Sequence, residues 1–159
     1  MSFEAAVKAA PAPVCDAYRP GKQALKGEHR DLIRCRDTRR FTGSIDLEAA
    51  LADDAQAANL WDYGIGVRLR GDSEHAIWVE VHPAATTEVS TFLRKLAWLQ
   101  TWLRTEAKAL GALSQPSDEI ETFVWIATDA GVHIRPGSPQ ARRLQQAGLR
   151  LPRQVLELC

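Results

Sequence analysis

The sequence predicts a single α/β domain built on a mixed sheet, and three observations carry that reading. Two neighbouring segments alternate apolar and polar residues with a period of two on either side of a turn-forming tetrad. A long stretch behind them repeats apolar residues at intervals of three and four. A compact apolar run and a short basic segment then follow. An antiparallel β-meander, a long crossover helix, a further strand and a C-terminal helix is the arrangement that buries those faces in that order. A length of 159 residues suits one compact domain.

Residues 1–23 read as an N-terminal arm and residues 24–159 as the α/β domain. The arm begins as a helical turn, breaks at Ala9-Ala10-Pro11-Ala12-Pro13 and again at Arg19-Pro20-Gly21-Lys22, and is expected to lie as an irregular segment on the domain. Residues 24–36 place Leu25, Ile33 and Cys35 among charges, which leaves a short polar helix or a partly exposed strand open. Residues 41–51, with Ile45, Leu47 and Leu51, read as the first strand. In residues 61–69, Tyr63, Ile65, Val67 and Leu69 alternate against Asp62, Gly64, Gly66 and Arg68. In residues 75–82, Ile77, Val79 and Val81 share one face, and Trp78, Glu80 and His82 the other. Arg70-Gly71-Asp72-Ser73 supplies the turn between them, so the two segments form an antiparallel hairpin.

Pro83 ends the second arm, and Thr86 or Thr87 can cap a helix over residues 88–110. Its stripe is Val89, Phe92, Leu93, Leu96, Leu99, Leu103 and Leu110. Trp98 and Trp102 fall on the opposite side, so that face is covered by the rest of the chain or serves a homodimer or protein partner. After a polar loop over residues 111–119, residues 121–128 read as a central strand ending at an Asp129-Ala130-Gly131 turn. Ser138-Pro139 starts a basic helix over residues 140–147, stopped by Gly148. The tail over residues 149–159 carries enough leucine and valine to pack.

Charge and cysteine usage narrow the function classes. Twenty basic residues balance twenty acidic ones, so no global field draws the chain to nucleic acid or anionic lipid. No apolar run approaches the roughly 20 residues that span a bilayer, and no secretory leader opens the chain. A cytoplasmic protein away from membranes is the expectation. The basic residues are nonetheless segregated. Arg30, Arg34, Arg36, Arg39 and Arg40 crowd one segment, and Arg135, Arg142, Arg143, Arg150 and Arg153 another. They form a phosphate-binding face, or pair with the acids at Glu48, Asp53, Asp54, Asp118, Glu119 and Glu121. Cys15, Cys35 and Cys159 lack zinc spacing. One disulfide is open to them, a reduced context is the simpler reading, and Cys159 reads as an exposed thiol without function. Serine-hydrolase elbows, Walker loops, dinucleotide fingerprints and zincin motifs do not occur.

The chemistry rests on Asp62 and Glu80, one on each arm of the hairpin. A carboxylate on each arm offers oxygen ligands to Mg²⁺, an ion that polarises a phosphate oxygen and acidifies water. With the meander, crossover helix and further strand, these acids make residues 31–149 resemble the restriction-endonuclease-like, or PD-(D/E)xK, superfamily of nucleases. The resemblance implies that fold, phosphodiester hydrolysis of nucleic acid, and Mg²⁺ or Mn²⁺ held by Asp62 and Glu80, with Asp46 a further ligand if its strand neighbours Asp62. It also implies a lysine two residues after the second acid, where this chain has His82. His82 can act as a general base but carries no fixed charge at neutral pH, and Lys95, from the helix, is the other candidate for the position. Arg39, Arg40, Arg142 and Arg143 would serve the nucleic acid. The alternative is a non-catalytic chain of the same fold that docks a protein through Trp98 and Trp102.

Overall fold

A computed structural model describes residues 1–53 and 59–159, which leaves Asp54 of the acidic group outside the described residues. The chain opens with α1 (Phe3–Lys8), capped by the Ser2 hydroxyl, which accepts the Ala5 N–H at 3.1 Å. A single turn, α2 (Gly27–Arg30), and the two-residue β1 (Ile33–Arg34) precede β2 (Phe41–Asp46). The short α3 (Leu47–Ala50) follows at once, because the Asp46 carboxylate accepts the Ala49 N–H at 2.9 Å and so caps a helical turn. β3 (Tyr63–Arg68) and β4 (Glu74–Ala84) form the hairpin. Two helices, α4 (Val89–Thr105) and α5 (Lys108–Ala112), cross back to β5 (Phe123–Val132), and α6 (Pro139–Gln146) and β6 (Leu156–Glu157) follow.

The main sheet has the order β2-β3-β4-β5, antiparallel across the first two junctions and parallel at β4–β5. The result is a mixed α/β domain with a mixed sheet and a long helix. Strand alternation sends alternate residues to two separate cores. Tyr63, Ile65, Val67, Ile77, Val79, Val124 and Ile126 pack on one face with Leu25, Ile33 and Leu156, beneath a small parallel pair of β1 and β6. Trp61, Trp78, Trp125 and Ala127 pack on the other with α1, α4, α5 and α6. Gly64 and Gly66 also face the helices. A side chain at Gly66 would collide with the Phe3 ring, so the glycine is what lets α1 lie directly on the sheet.

Several expectations change. Residues 47–51 are a helical turn rather than strand, since Leu47 and Leu51 are spaced for a helix and Asp46 caps it. The long helix breaks at Glu106–Ala107, and α5 folds back over the end of α4. β5 continues through Gly131, which takes φ 81° within the strand, so no turn ends it there. β4 likewise runs past Pro83 to Ala84, with a register shift after His82 that accommodates the imino acid. Cys159 is no free thiol: it is joined to Cys35 with the Cα atoms 4.9 Å apart, and Cys15 alone is free. The first residues do more than lie on the domain, because Phe3, Ala6 and Val7 are fully buried in the helix-side core. No described helix is long and apolar enough to cross a membrane.

Candidate functional site

The hairpin register assembles the site. Tyr63 lies opposite Val79, so Asp62 and Glu80, one step further along, face each other on the helix side of the sheet. Glu80 Oε1 accepts the Asp62 N–H at 3.2 Å, and Asp62 Oδ2 accepts the Val81 N–H at 2.8 Å. Each acid is thereby held by the other's strand. Above them, Lys95 projects from the second turn of α4 and donates to Glu80 Oε2 at 2.7 Å. The Glu80 side chain is 2% exposed and that of Lys95 17%, so this pair is largely shielded from water. Desolvation makes such a pair weak evidence for stability, but removal of one partner would strand a buried charge.

Glu48 completes the group from the solvent side. The N–H groups of Leu47 and Glu48 both point at the Asp62 carbonyl, at 2.8 and 3.4 Å, which fixes α3 beside the hairpin. From there the Glu48 carboxyl shares a hydrogen bond with Asp62 that raises its own pKa above the ordinary value. Burial pushes Asp62 up to about 6, and the neighbouring Glu80 charge adds to the rise while the Glu48 and Val81 hydrogen bonds oppose it. Burial also raises Glu80, against the attraction of Lys95. Three carboxyls thus crowd one ammonium, and the cluster is short of positive charge.

The remaining residues singled out by sequence fall elsewhere. Asp46 does lie on the strand next to Asp62, but it sits opposite Tyr63 and therefore on the other face of the sheet, where it caps α3. His82 shares the face of Glu80 yet is drawn away to Glu88, with its Nε2 2.8 Å from the carboxylate. Arg40 donates to Glu119 and to the Arg68 carbonyl, at the far end of β3, about 20 Å along the strand from Asp62. Arg39 is paired with Asp37 beside it. Arg142 and Arg143 lie exposed on α6, and Arg143 reaches Ser90 at 3.1 Å, near the start of α4 and on the same helix as Lys95. Arg40 and Arg143 therefore lie apart, while Arg150 and Arg153 pair with Glu121, two residues from the Glu119 that Arg40 holds, so these arginines pair with the acids rather than forming one free face. Trp102 is buried, stacked on Trp98 with centroids 5.9 Å apart and edge-on to Trp78 at 6.3 Å. Glu48 escaped sequence reasoning. Its signal was an aspartate before Leu-Glu-Ala-Ala, a helix start mistaken for strand.

The donor set consists of hard carboxylate oxygens, which suits Mg²⁺ or Mn²⁺ and not a thiolate-seeking metal. Among the described residues, no group of three His, Cys, Asp or Glu side chains stands close enough to cage an ion. Mg²⁺ does not require a cage: it takes one or two carboxylates, keeps waters and uses substrate phosphates. Asp62 and Glu80 are the two carboxylates that such an ion would use, with the Glu80 oxygens already accepting from the Asp62 N–H and from Lys95. No family model matches the chain, and neither a curated protein nor a solved structure matches it significantly.

Proposed function

We propose that this chain is a divalent-metal-dependent phosphodiesterase acting on nucleic acid, related in architecture to the restriction-endonuclease-like superfamily. One observation carries the reading: Lys95 reaches the same carboxylate that the Asp62 backbone holds, so an acid from each hairpin arm and a lysine meet at one point. The superfamily resemblance asks for that trio, and α4 supplies the lysine that the strand lacks at His82. Bound between Asp62 and Glu80, Mg²⁺ or Mn²⁺ would supply Lewis-acid polarisation of a phosphoryl oxygen. Asp62 and Glu80 hold their carboxylates fixed through strand N–H groups, which limits reorganisation when charge develops. Lys95 keeps an ammonium beside them with donors left over from Glu80 for a non-bridging phosphate oxygen. Glu48, at the mouth, can exchange a proton with solvent water. A protein-docking role for the Trp98/Trp102 face has less support, because Trp102 is covered by Trp78 and Trp98.

Calorimetric titration with Mn²⁺ and Mg²⁺, paired with cleavage of single- and double-stranded DNA and RNA, tests the reading. The wild type is expected to bind Mn²⁺ and cut at least one of these substrates. Glu80→Gln should weaken metal binding by at least about tenfold, and Lys95→Met should slow cleavage by about 100-fold or more. The double variant Glu80→Gln/Lys95→Met removes both buried charges and serves as the folded control. Absence of metal binding by the wild type at millimolar concentration overturns the proposal.

A further inference from the structure

A cavity of about 870 Å³ opens at the corner between α4 and α5. Gln100, Leu103 and Arg104 turn one face of α4 to it, and Lys108, Gly111 and Ala112 one face of α5, at the spacings that share a helix side. Phe123 at the start of β5 and Arg150 beyond α6 stand in the other walls. Arg104 follows Lys95 by nine residues, about 13.5 Å along α4 and half a turn round it, so the cavity lies away from Asp62 and Glu80. The chain is neutral as a whole, but this lining is not. Lys108 makes no ion pair among the described residues, and the Arg104 guanidinium lies 3.5 Å from the Thr101 hydroxyl on its own helix. Glu121, the acid in the lining, is already taken by Arg153, whose Nη2 lies 2.8 and 2.7 Å from its two oxygens. Arg150 stands 3.5 Å from the same carboxylate with its side chain 76% exposed, so two guanidiniums share one acid. Glu119, in the adjoining loop, is turned to Arg40 and the Arg70 N–H, and Glu106 lines a separate cavity beside Trp98.

We infer that this cavity binds a small organic anion, with its phosphate or carboxylate head at the cationic rim set by Arg104, Lys108 and Arg150 and its apolar body against Ile120 and Phe123. A cleft lined by one sign of charge between low-dielectric walls concentrates counter-ions. A guanidinium presents a planar fork of donors that matches the oxygens of either head, so phosphate and carboxylate share this chemistry. Ile120 and Phe123 are half-buried and line the cavity, which gives a hydrocarbon or aromatic body apolar surface to cover. The volume falls within the roughly 300–1,000 Å³ of pockets that hold small organic ligands, and a bare inorganic anion would leave most of it unfilled. The site goes beyond the phosphodiesterase reading and does not depend on it, because none of its lining residues belongs to the carboxylate cluster.

The test is calorimetric titration of the full chain, with no divalent metal added, against four probes: 1-naphthyl phosphate, 2-naphthoate, the neutral 2-naphthylmethanol and inorganic phosphate. The wild type should bind at least one of the two naphthyl anions about tenfold or more tighter than either the neutral alcohol or inorganic phosphate. Which naphthyl anion binds tighter identifies the head. Arg104→Gln/Lys108→Gln changes two exposed side chains and should weaken that binding by about tenfold or more, with the thermal midpoint unchanged. Phe123→Leu should weaken the naphthyl anions by a smaller factor and leave inorganic phosphate unaffected. Failure of both naphthyl anions to bind the wild type at about 1 mM overturns the site. Equal affinity for the neutral alcohol removes the role of charge, and equal affinity for inorganic phosphate reduces the cavity to a charged surface; either result overturns the proposal. Binding that survives Arg104→Gln/Lys108→Gln undiminished places the anion elsewhere and overturns it as well. Because no metal is present and Asp62, Glu80 and Lys95 are untouched, none of these failures bears on the phosphodiesterase reading.

Discussion

At the scale of single residues, the most informative group is Asp62. Its folded pKa of about 6 stands above the ~3.9 of an exposed aspartate. The folded state therefore binds this proton more tightly than the unfolded chain does, so the group favours folding most when protonated. That contribution is lost as pH rises from about 4 through about 6. The gap corresponds to at most about 3 kcal/mol, with Glu48 and Glu80 facing the group and Lys95 offsetting them through Glu80. Asp62→Asn keeps an acceptor for the Val81 N–H and removes the buried charge. It is expected to raise the thermal midpoint at about pH 7.5 and flatten its dependence across the window, as followed by circular dichroism. A lower midpoint than wild type at that pH would contradict the assignment. Stabilisation by Mn²⁺ should run the opposite way and grow as Asp62 ionises. Asp62 and Glu80 were legible in the sequence as the acids on the two alternating arms of one hairpin, and the Tyr63–Val79 register is what sets them face to face. Lys95 needed the register as well, since only the packing of α4 over Glu80 shows that its side chain turns inward. Asp46 was misread for the same reason in reverse: adjacency of strands says nothing about the face until the pairing partner, Tyr63, is known.

At the scale of elements, strands were easier to read than helix boundaries. The hairpin, the strand at β5 and the cap of α6 follow from local pattern and turn chemistry. The corner between α4 and α5 does not. Leu103 and Leu110 are seven apart and keep the helical period across the break, and neither glycine nor proline marks Glu106–Ala107. The break is tertiary: α5 folds back until Gly111 meets the Leu103 carbonyl, where a β-carbon would collide with backbone. Gly111→Ala is therefore expected to destabilise by about 1–3 kcal/mol in urea unfolding. Gly27→Ala, with open space around it at the start of α2, should change stability by less than about 0.5 kcal/mol or raise it slightly. Equal effects of the two substitutions would mean that the corner is loose enough to absorb a methyl group. The same logic explains α3. A four-residue turn has little propensity of its own, and its place is set by the Asp46 cap and by the Asp62 carbonyl that receives its first N–H groups.

At the scale of the molecule, the sheet separates chemistry from closure. The candidate site lies on the helix side, while the opposite face is sealed by Leu25, Ile33 and Leu156 beneath the β1–β6 pair. Two-residue strands cannot hold that cover by hydrogen bonds alone. The Cys35–Cys159 bond fastens it, joining residues 124 apart just beyond β1 and β6. Composition argued for reduced thiols, because three cysteines so far apart carry no pairing signal until the parallel ladder brings two of them together. In the chain-entropy account, closing a loop of that length stabilises by up to about 5 kcal/mol. Dithiothreitol is therefore expected to lower the urea midpoint of the wild type. Cys35→Ser should unfold at the midpoint of the reduced wild type and be indifferent to reductant. Thiol counting gives an independent check: the denatured, unreduced chain should show one free thiol, Cys15, and the reduced chain three. Because the bond clamps the face away from Asp62, Glu80 and Lys95, Mn²⁺ binding should be the same in the oxidised and reduced chains as long as both remain folded. Matching midpoints with and without reductant would mean that the small sheet holds without its clamp. Loss of metal binding on reduction would mean that the two faces are coupled through the sheet, contrary to the separation that the packing implies.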